Sequence, residues 1–282
     1  DPLRNYLPSY PNVDSDITIR QLLNHTSGLY HWVEHPQAPT RIPYNSIDFE
    51  KWWTTEEIFD KLIKEPYFPP GKGWHYTQTG YILGTLIVEQ ITRSKVSMEI
   101  QKRLLDPLNI NGMLLDLTEP IPSHFKIAHN WVDTDRDGIL EDVSSRSRNW
   151  INSLSRILFY TRAEDLARWS HALYHGEVLS QASLGEMLSF HSPCPGEPLV
   201  AGYGLGVMKF SRDSIQGEQV WGHIGSTPGY RAFLGYLPKH DVSMSVLINS
   251  DCSDEVCGRL INALLKIIVN HLNSSRREEI SL

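Results

Sequence analysis

No stretch of the 282 residues approaches the ~18 consecutive apolar positions that a membrane-spanning helix needs. The longest candidate, Ala263 to Val269, is interrupted by Lys266. Basic residues are in deficit, with 26 Lys and Arg against 33 Asp and Glu and a net charge of −7. That balance excludes the broad basic surface needed for nucleic acid or anionic membranes. Cysteine is scarce, and Cys194, Cys252 and Cys257 lack zinc-site spacing. Cys252 and Cys257 could pair across a turn before the last helix, but they are read as buried free thiols. Internal repeats and low-complexity segments are absent. The chain opens on Asp1 rather than Met, so the lack of a visible leader excludes nothing. What is present is an ordinary globular mixture, 40% hydrophobic and 21% charged, sufficient for one large or two moderate domains with a sizeable core.

Helix starts are marked by Ser/Thr-x-x-Glu/Gln pairs at Thr18 with Gln21, Thr54 with Glu57, and Thr161 with Glu164. Ile17 and Leu22 could staple the first of these helices, and Gly28 fits the left-handed position that ends it. From Thr79 to Thr92 apolar residues nearly encircle a helix, which predicts burial, with Gly80 and Gly84 allowing close packing. The aromatic-rich stretch from Tyr30 to Trp53 reads as a long loop of the kind that carries function. Phe125–Asn130 and Ile139–Val143 flank an Asp/Gly turn and predict a hairpin. Helices follow over Ala163–Tyr174 and Gln181–Leu188. After the Pro/Gly-rich linker Ser192–Pro198 the pattern turns to short strands at Tyr203–Phe210, Gln219–His223, Tyr230–Leu237 and Val242–Asn249. Their spacing predicts an antiparallel meander. An amphipathic helix from Asp254 to Leu272 would cover one face of it.

Three segments carry chemistry. The first is Ile17-Thr18-Ile19-Arg20-Gln21-Leu22-Leu23-Asn24-His25-Thr26-Ser27-Gly28-Leu29, and the second runs from Pro69 to Tyr81 with Tyr76-Thr77-Gln78 at its centre. The third is Val220-Trp221-Gly222-His223-Ile224-Gly225-Ser226-Thr227-Pro228-Gly229-Tyr230. His223 offers a protonatable group at a strand edge, and Gly225, lacking a Cβ, lets a substrate backbone come close.

In this order the segments resemble the class C β-lactamase-like serine hydrolases, a family that includes D-alanyl-D-alanine carboxypeptidases and esterases. The resemblance covers Asp1 to about Leu272. It implies an α+β fold of the β-lactamase/transpeptidase type: a mostly helical part over 1–195, and an antiparallel sheet with its covering helix over 196–282. It also implies acyl transfer on a small-molecule or peptide substrate with a scissile amide, ester or lactam, without cofactor or metal. Residue by residue, Tyr76 matches the proton-relaying tyrosine of a Tyr-x-Asn motif. Gln78 stands where that motif has Asn, and His223 stands where the Lys-Thr-Gly strand has lysine. The Ser226 N–H matches half of the oxyanion hole. A tyrosine of ordinary pKa near ~10 acts as a base at neutral pH only beside a cation, and a cationic His223 would hold a substrate carboxylate. The family's Ser-x-x-Lys motif precedes the first segment, and Asp1–Pro8 resembles the stretch just after it. The expectation is therefore a chain that lacks the nucleophile and is inactive alone, from a family usually exported. The alternative is a non-catalytic peptide- or glycan-binding relative.

Other motifs read as structural. His25-Thr26-Ser27-Gly28 ends a helix. Ser123-His124-Phe125-Lys126, a literal Ser-x-x-Lys, follows Pro120 and Pro122 and precedes a strand-like run, which is no context for a nucleophile helix. Asp133, Asp135, Asp137 and Gly138 copy half a calcium loop, but position twelve is Ser144 rather than the bidentate Glu. His171 and His175, one turn apart, suit a helix C-terminus without metal. Arg146, Arg148, Arg156, Arg162 and Arg168 read as a solvated face. Bulky residues over Ser153–Thr161 depart from the small, Gly-rich family segment.

Overall fold

The computed structural model describes residues 1–115, 121–146, 149, 152–153, 158–212 and 217–280, with side chains through 274. Its helices are α1 (Ile19–Leu23), α2 (Thr55–Leu62), α3 (Thr79–Thr92), α4 (Val96–Ile100), α5 (Ala163–Tyr174), α6 (Gln181–Met187) and α7 (Asp254–Ile280). A two-stranded hairpin, β1 (Trp131–Val132) and β2 (Glu141–Asp142), is tied through a Trp131–Ser250 bridge to the end of an antiparallel sheet. That sheet contains β3 (Val200–Tyr203), β4 (Met208–Phe210), β5 (Trp221–Thr227), β6 (Tyr230–Leu237) and β7 (Val242–Ile248), in sequential order. The α+β class is the one the sequence implies.

Reciprocal capping forms at α1 and α2, where Thr18 and Thr54 accept from the Gln21 and Glu57 N–H groups and those side chains accept in return. Each such cap contributes about 1 kcal/mol. The third expected box does not form. Arg162 occupies the N-cap of α5, its Nε donating to Asp165 2.8 Å away, while the Thr161 hydroxyl donates to the Arg162 carbonyl.

The end of α1 also differs from expectation. The helix-ending left-handed residue is His25 (φ +62°), three residues before Gly28, which is also left-handed (φ +78°), and the Thr26 N–H returns to the Gln21 carbonyl at 3.1 Å. This is the bond pattern of a Schellman motif. Gly28 has a different reason to be glycine: any Cβ there would collide with the Phe68 carbonyl. Gly80 packs α3 on α1, its Cβ position lying 3.0 Å from the Leu22 carbonyl, whereas the Cβ position of Gly84 meets nothing. Helix α3 is buried over its first turns but emerges by Ile91, which is 60% exposed.

A helical core gathers Ile17, Leu22, Trp32, Phe59, Ile82 and Leu83; a sheet core gathers Tyr203, Phe210, Phe233, Leu237, Leu265 and Val269. Helix α7 thus covers one sheet face, as expected, and α5 packs along β6 and β7. Trp74 belongs to the sheet core although it lies just upstream of α3, so the Tyr76 loop is anchored on the sheet.

The segment expected as one strand over Tyr203–Phe210 is two strands, β3 and β4, joined through Gly204 and Gly206. Strand β5 runs on to Thr227. Pro228 followed by Gly229 at φ +74° then turns the chain into β6, the residue pair a type II turn requires. Cys252 and Cys257 form a disulfide with Cα atoms 6.3 Å apart, so the free-thiol reading holds only for Cys194, which is buried. The arginine face is not merely solvated. Arg162 and Arg168 both reach the buried Asp165, and the Arg146 guanidinium lies 4.8 Å from the Phe49 ring. Arg148, Arg156 and residues 154–157 of the bulky stretch lie outside the described residues.

Candidate active site

Segments one and two fold onto each other through their backbones. The N–H groups of Tyr67, Gly71 and His75 donate to the carbonyls of Gly28, Thr26 and His25 at 2.8, 2.8 and 3.0 Å. Two imidazoles then fix the loop that carries Tyr76. The Thr77 N–H donates to His25 Nδ1 at 3.2 Å, and the Gln78 N–H donates to His31 Nδ1 at 3.4 Å. Both rings must be unprotonated at Nδ1 to accept. Burial, reinforced by neighbouring histidines and, for His31, by Arg41, holds both pKa values down at about 3. The Thr79 hydroxyl donates to the Tyr30 carbonyl at 2.7 Å and sets the start of α3 beside the long loop.

Tyr76 then sits in a cage of rings. Centroids lie 4.4 Å away at His25, 5.8 Å at His31, 6.3 Å at Tyr203 and 6.2 Å at His223. Its pKa is pushed up to about 12, first by burial and then by the Glu197 carboxylate, against a lowering hydrogen bond from the Gln78 side chain. Gln78 is thus long enough to reach the phenol. Tyr76 as it stands is a protonated phenol at neutral pH.

His223 arrives from β5. Its Nδ1 lies 2.6 Å from the Ile224 carbonyl, which can only accept, so Nδ1 carries the proton. Nε2, 2.8 Å from the Tyr203 hydroxyl, accepts from it in the neutral ring. Burial lowers the His223 pKa below its ordinary value. The cationic, carboxylate-holding role expected from the sequence does not match this state. His223 is a neutral ring held by Tyr203, a partner the sequence reading treated only as a strand residue.

Strand β4 pairs with β5 only at Gly222 and Trp221, so from His223 to Thr227 that edge of β5 has no strand partner among the described residues. Gly222 and Gly225 differ in kind. A Cβ at Gly222 would collide with the Leu234 carbonyl, while one at Gly225 would meet only Ala232 Cβ at an ordinary 3.5 Å. Packing among the described residues therefore demands Gly222 but not Gly225, which is exposed on the open edge.

Gln78 and Ser226 line a cleft of about 860 Å³. Its other walls are the long loop, with Trp32, Arg41 and Tyr44, the hairpin tip at Asp133–Arg136, and Arg231 with Asp251. Asp251 accepts from the Gly229 N–H at 2.8 Å and lies 3.5 Å from the Arg231 guanidinium. The long loop expected from the sequence thus forms one wall of the cleft. The hairpin tip was missed, because its spacing suggests only a turn. Ser123, of the literal Ser-x-x-Lys, is exposed in a turn and not on a helix.

A family model described as Beta-lactamase matches residues 1–266. Penicillin-binding protein 4* of Bacillus subtilis is 25% identical over 284 residues, covering 95% of this chain and 58% of that protein. A D-stereospecific amidohydrolase from Streptomyces sp. superposes with a TM-score of 0.76 at 28% identity, over 89% of this chain and 74% of that one. The D-amino acid amidase of Ochrobactrum anthropi, solved with L-phenylalanine amide, shares the fold at TM-score 0.77 and 22% identity, over 96% and 76% of the two chains. The chain spans about half the length of the curated relatives it matches.

Proposed function

The chain belongs to the Beta-lactamase family, and from that premise we propose that it carries the acyl-substrate half of a serine hydrolase site. The observation that supports this best is the meeting of Tyr76, Gln78 and His223 beside an open β5 edge and a cleft that includes Ser226. In the proposed reaction a serine hydroxyl attacks an amide, ester or lactam carbonyl, and water later releases the acyl group. The nucleophile is assigned to a Ser-x-x-Lys segment outside residues 1–282. Its lysine would supply the cation that Tyr76, raised by burial and Glu197, needs before it can accept a proton.

The Ser226 N–H is assigned to the oxyanion. One such donor is worth about 3 kcal/mol in acyl transfer. Gln78 positions the phenol and the acyl side of the substrate. Gly225 leaves room for an extended substrate along β5, and neutral His223, steadied by Tyr203, orients rather than charges the end of that substrate.

Tyr76→Phe in the protein carrying the Ser-x-x-Lys segment tests this reading. The ring's packing survives and the proton path does not, so kcat should drop ~10²–10⁴-fold with little change in substrate affinity. Wild-type kcat in the variant removes Tyr76 from the chemistry. Undiminished binding of a peptide by a protein that never turns over would instead favour the non-catalytic reading, for which the open β5 edge is equally suited.

A further inference from the structure

Away from the cleft, the C-terminal turn of α5 meets the turn between β6 and β7. There His171 and His175, four residues apart on one helix face, aim their Nε2 atoms at the carboxylate of Asp241. His175 Nε2 lies 2.8 and 2.7 Å from the two carboxylate oxygens, and His171 Nε2 lies 3.9 Å from the first of them. One nitrogen from each histidine and one Asp241 oxygen all fall within 4.8 Å of one another. We propose that His171, His175 and Asp241 form a binding site for a divalent transition metal, zinc above all.

Bond lengths of ~2.0–2.1 Å at tetrahedral angles put zinc ligands ~3.3 Å apart. The observed separations straddle that value, so small rotamer shifts suffice to admit the ion. The two imidazoles stack at 4.3 Å with planes 16° apart, so both can turn Nε2 toward one ion beside the carboxylate. The carboxylate is also oriented from behind. Tyr236 donates its hydroxyl to Asp241 Oδ1 at 2.9 Å, and its ring is stacked on Tyr174 at 4.7 Å. Hydrogen bonds of this kind to a ligand set its direction and basicity. Asp241 itself sits in the left-handed region (φ +55°), which turns its side chain toward the helix. All three side chains are roughly half exposed, leaving a fourth position for water or a further ligand. A bound ion would clamp α5 to the β6–β7 turn, where the Ser243 hydroxyl already bonds Ser170 at 3.1 Å.

The test is titration of the full chain with Zn²⁺ by calorimetry and with Co²⁺ by visible absorption. One equivalent should bind at this site, Co²⁺ should give the strong bands of a four-coordinate centre, and zinc should raise Tm. His175→Gln and Asp241→Asn should each weaken binding by more than the ~10–100-fold that a ligand's hydrogen-bond partner costs, and Tyr236→Phe by about tenfold. His129→Gln, which breaks a separate histidine–carboxylate pair with Asp142, should leave binding unchanged. Absent binding in the wild type, or binding that survives both His175→Gln and Asp241→Asn, overturns the proposal. Asp241→Asn preserves size and the Tyr236 contact, so it decides the matter should a histidine variant fail to fold.

Discussion

The inside of the candidate site and its rim are built on opposite principles. Inside, Tyr76, His25, His31, His223 and Tyr203 are aromatic, neutral and shielded, and burial moves their pKa values away from physiological pH. At the rim, Arg41, Arg136 and Arg231 face Asp133, Asp135 and Asp251 around open space. The inner group can set geometry and proton position because burial disfavours the charged form of every one of its rings. The rim residues are charged and line open space, where solvent screens them and holds no proton out of place. The ring cluster and the charged walls of the cleft are thus two separate neighbourhoods, joined at Gln78 and Ser226.

The largest expected effect that would sharpen this contrast is on acid stability. His25, fully buried, has a native pKa of about 3 against about 6.5 unfolded, so below pH 6.5 the unfolded chain binds a proton the native one refuses. Its contribution is complete above pH 6.5 and is lost as pH falls toward 3. By pH 5 the loss is about 2 kcal/mol from this residue alone. His25→Asn tolerates the left-handed backbone and offers a carbonyl to the Thr77 N–H. The variant should show a visibly flatter dependence of unfolding free energy on pH between 7 and 5. An unchanged slope means His25 is not shielded as the structure has it.

Next in size is Tyr203→Phe. It removes the donor to His223 Nε2 and leaves a half-buried acceptor unpaired, a loss of about 1 kcal/mol. The same bond favours the neutral ring, so its removal should raise the His223 pKa back toward 6.5 in an NMR titration. Identical titration curves in the two proteins would exclude Tyr203 from control of His223.

These two predictions rest on residues whose roles were not legible in the sequence. Tyr76, Gln78, His223, Gly225 and Ser226 could be singled out as candidates because the segments that carry them are short and resemble the family's motifs. His25 and Tyr203 owe their roles to tertiary contacts, with Thr77 and with β5, that leave no local signature. The same holds for Asp241, far along the chain from the histidines it meets. The fold itself was readable where period and capping agree, as at α2, β6 and β7. It was misread where a local rule met a stronger neighbour. Thr161 lost its cap because Arg162 is engaged by Asp165, and the Cys252–Cys257 pairing hung on a turn whose closeness only the folded chain shows.

The smallest expected effect belongs to the rim. The hairpin tip brings Asp133, Asp135 and Asp137 together, the second group of side chains whose spacing could admit a cation. Calcium needs six to eight oxygens, and the bidentate ligand at the twelfth position of such a loop is what tightens it. Here that position is Ser144, whose hydroxyl is engaged by Asp142 and by the Asn130 N–H. Glu141, further round the turn, already accepts from the Thr134 N–H at 3.0 Å. Three carboxylates and the loop backbone leave the coordination short. Calcium at about 1 mM, the weak end of natural sites, should therefore leave Tm unchanged and the cleft wall no firmer. A calcium-dependent rise in Tm that Asp135→Ala abolishes would show instead that the rim is ordered by an ion, and that the division between a fixed interior and a wet, adjustable edge does not hold at this wall.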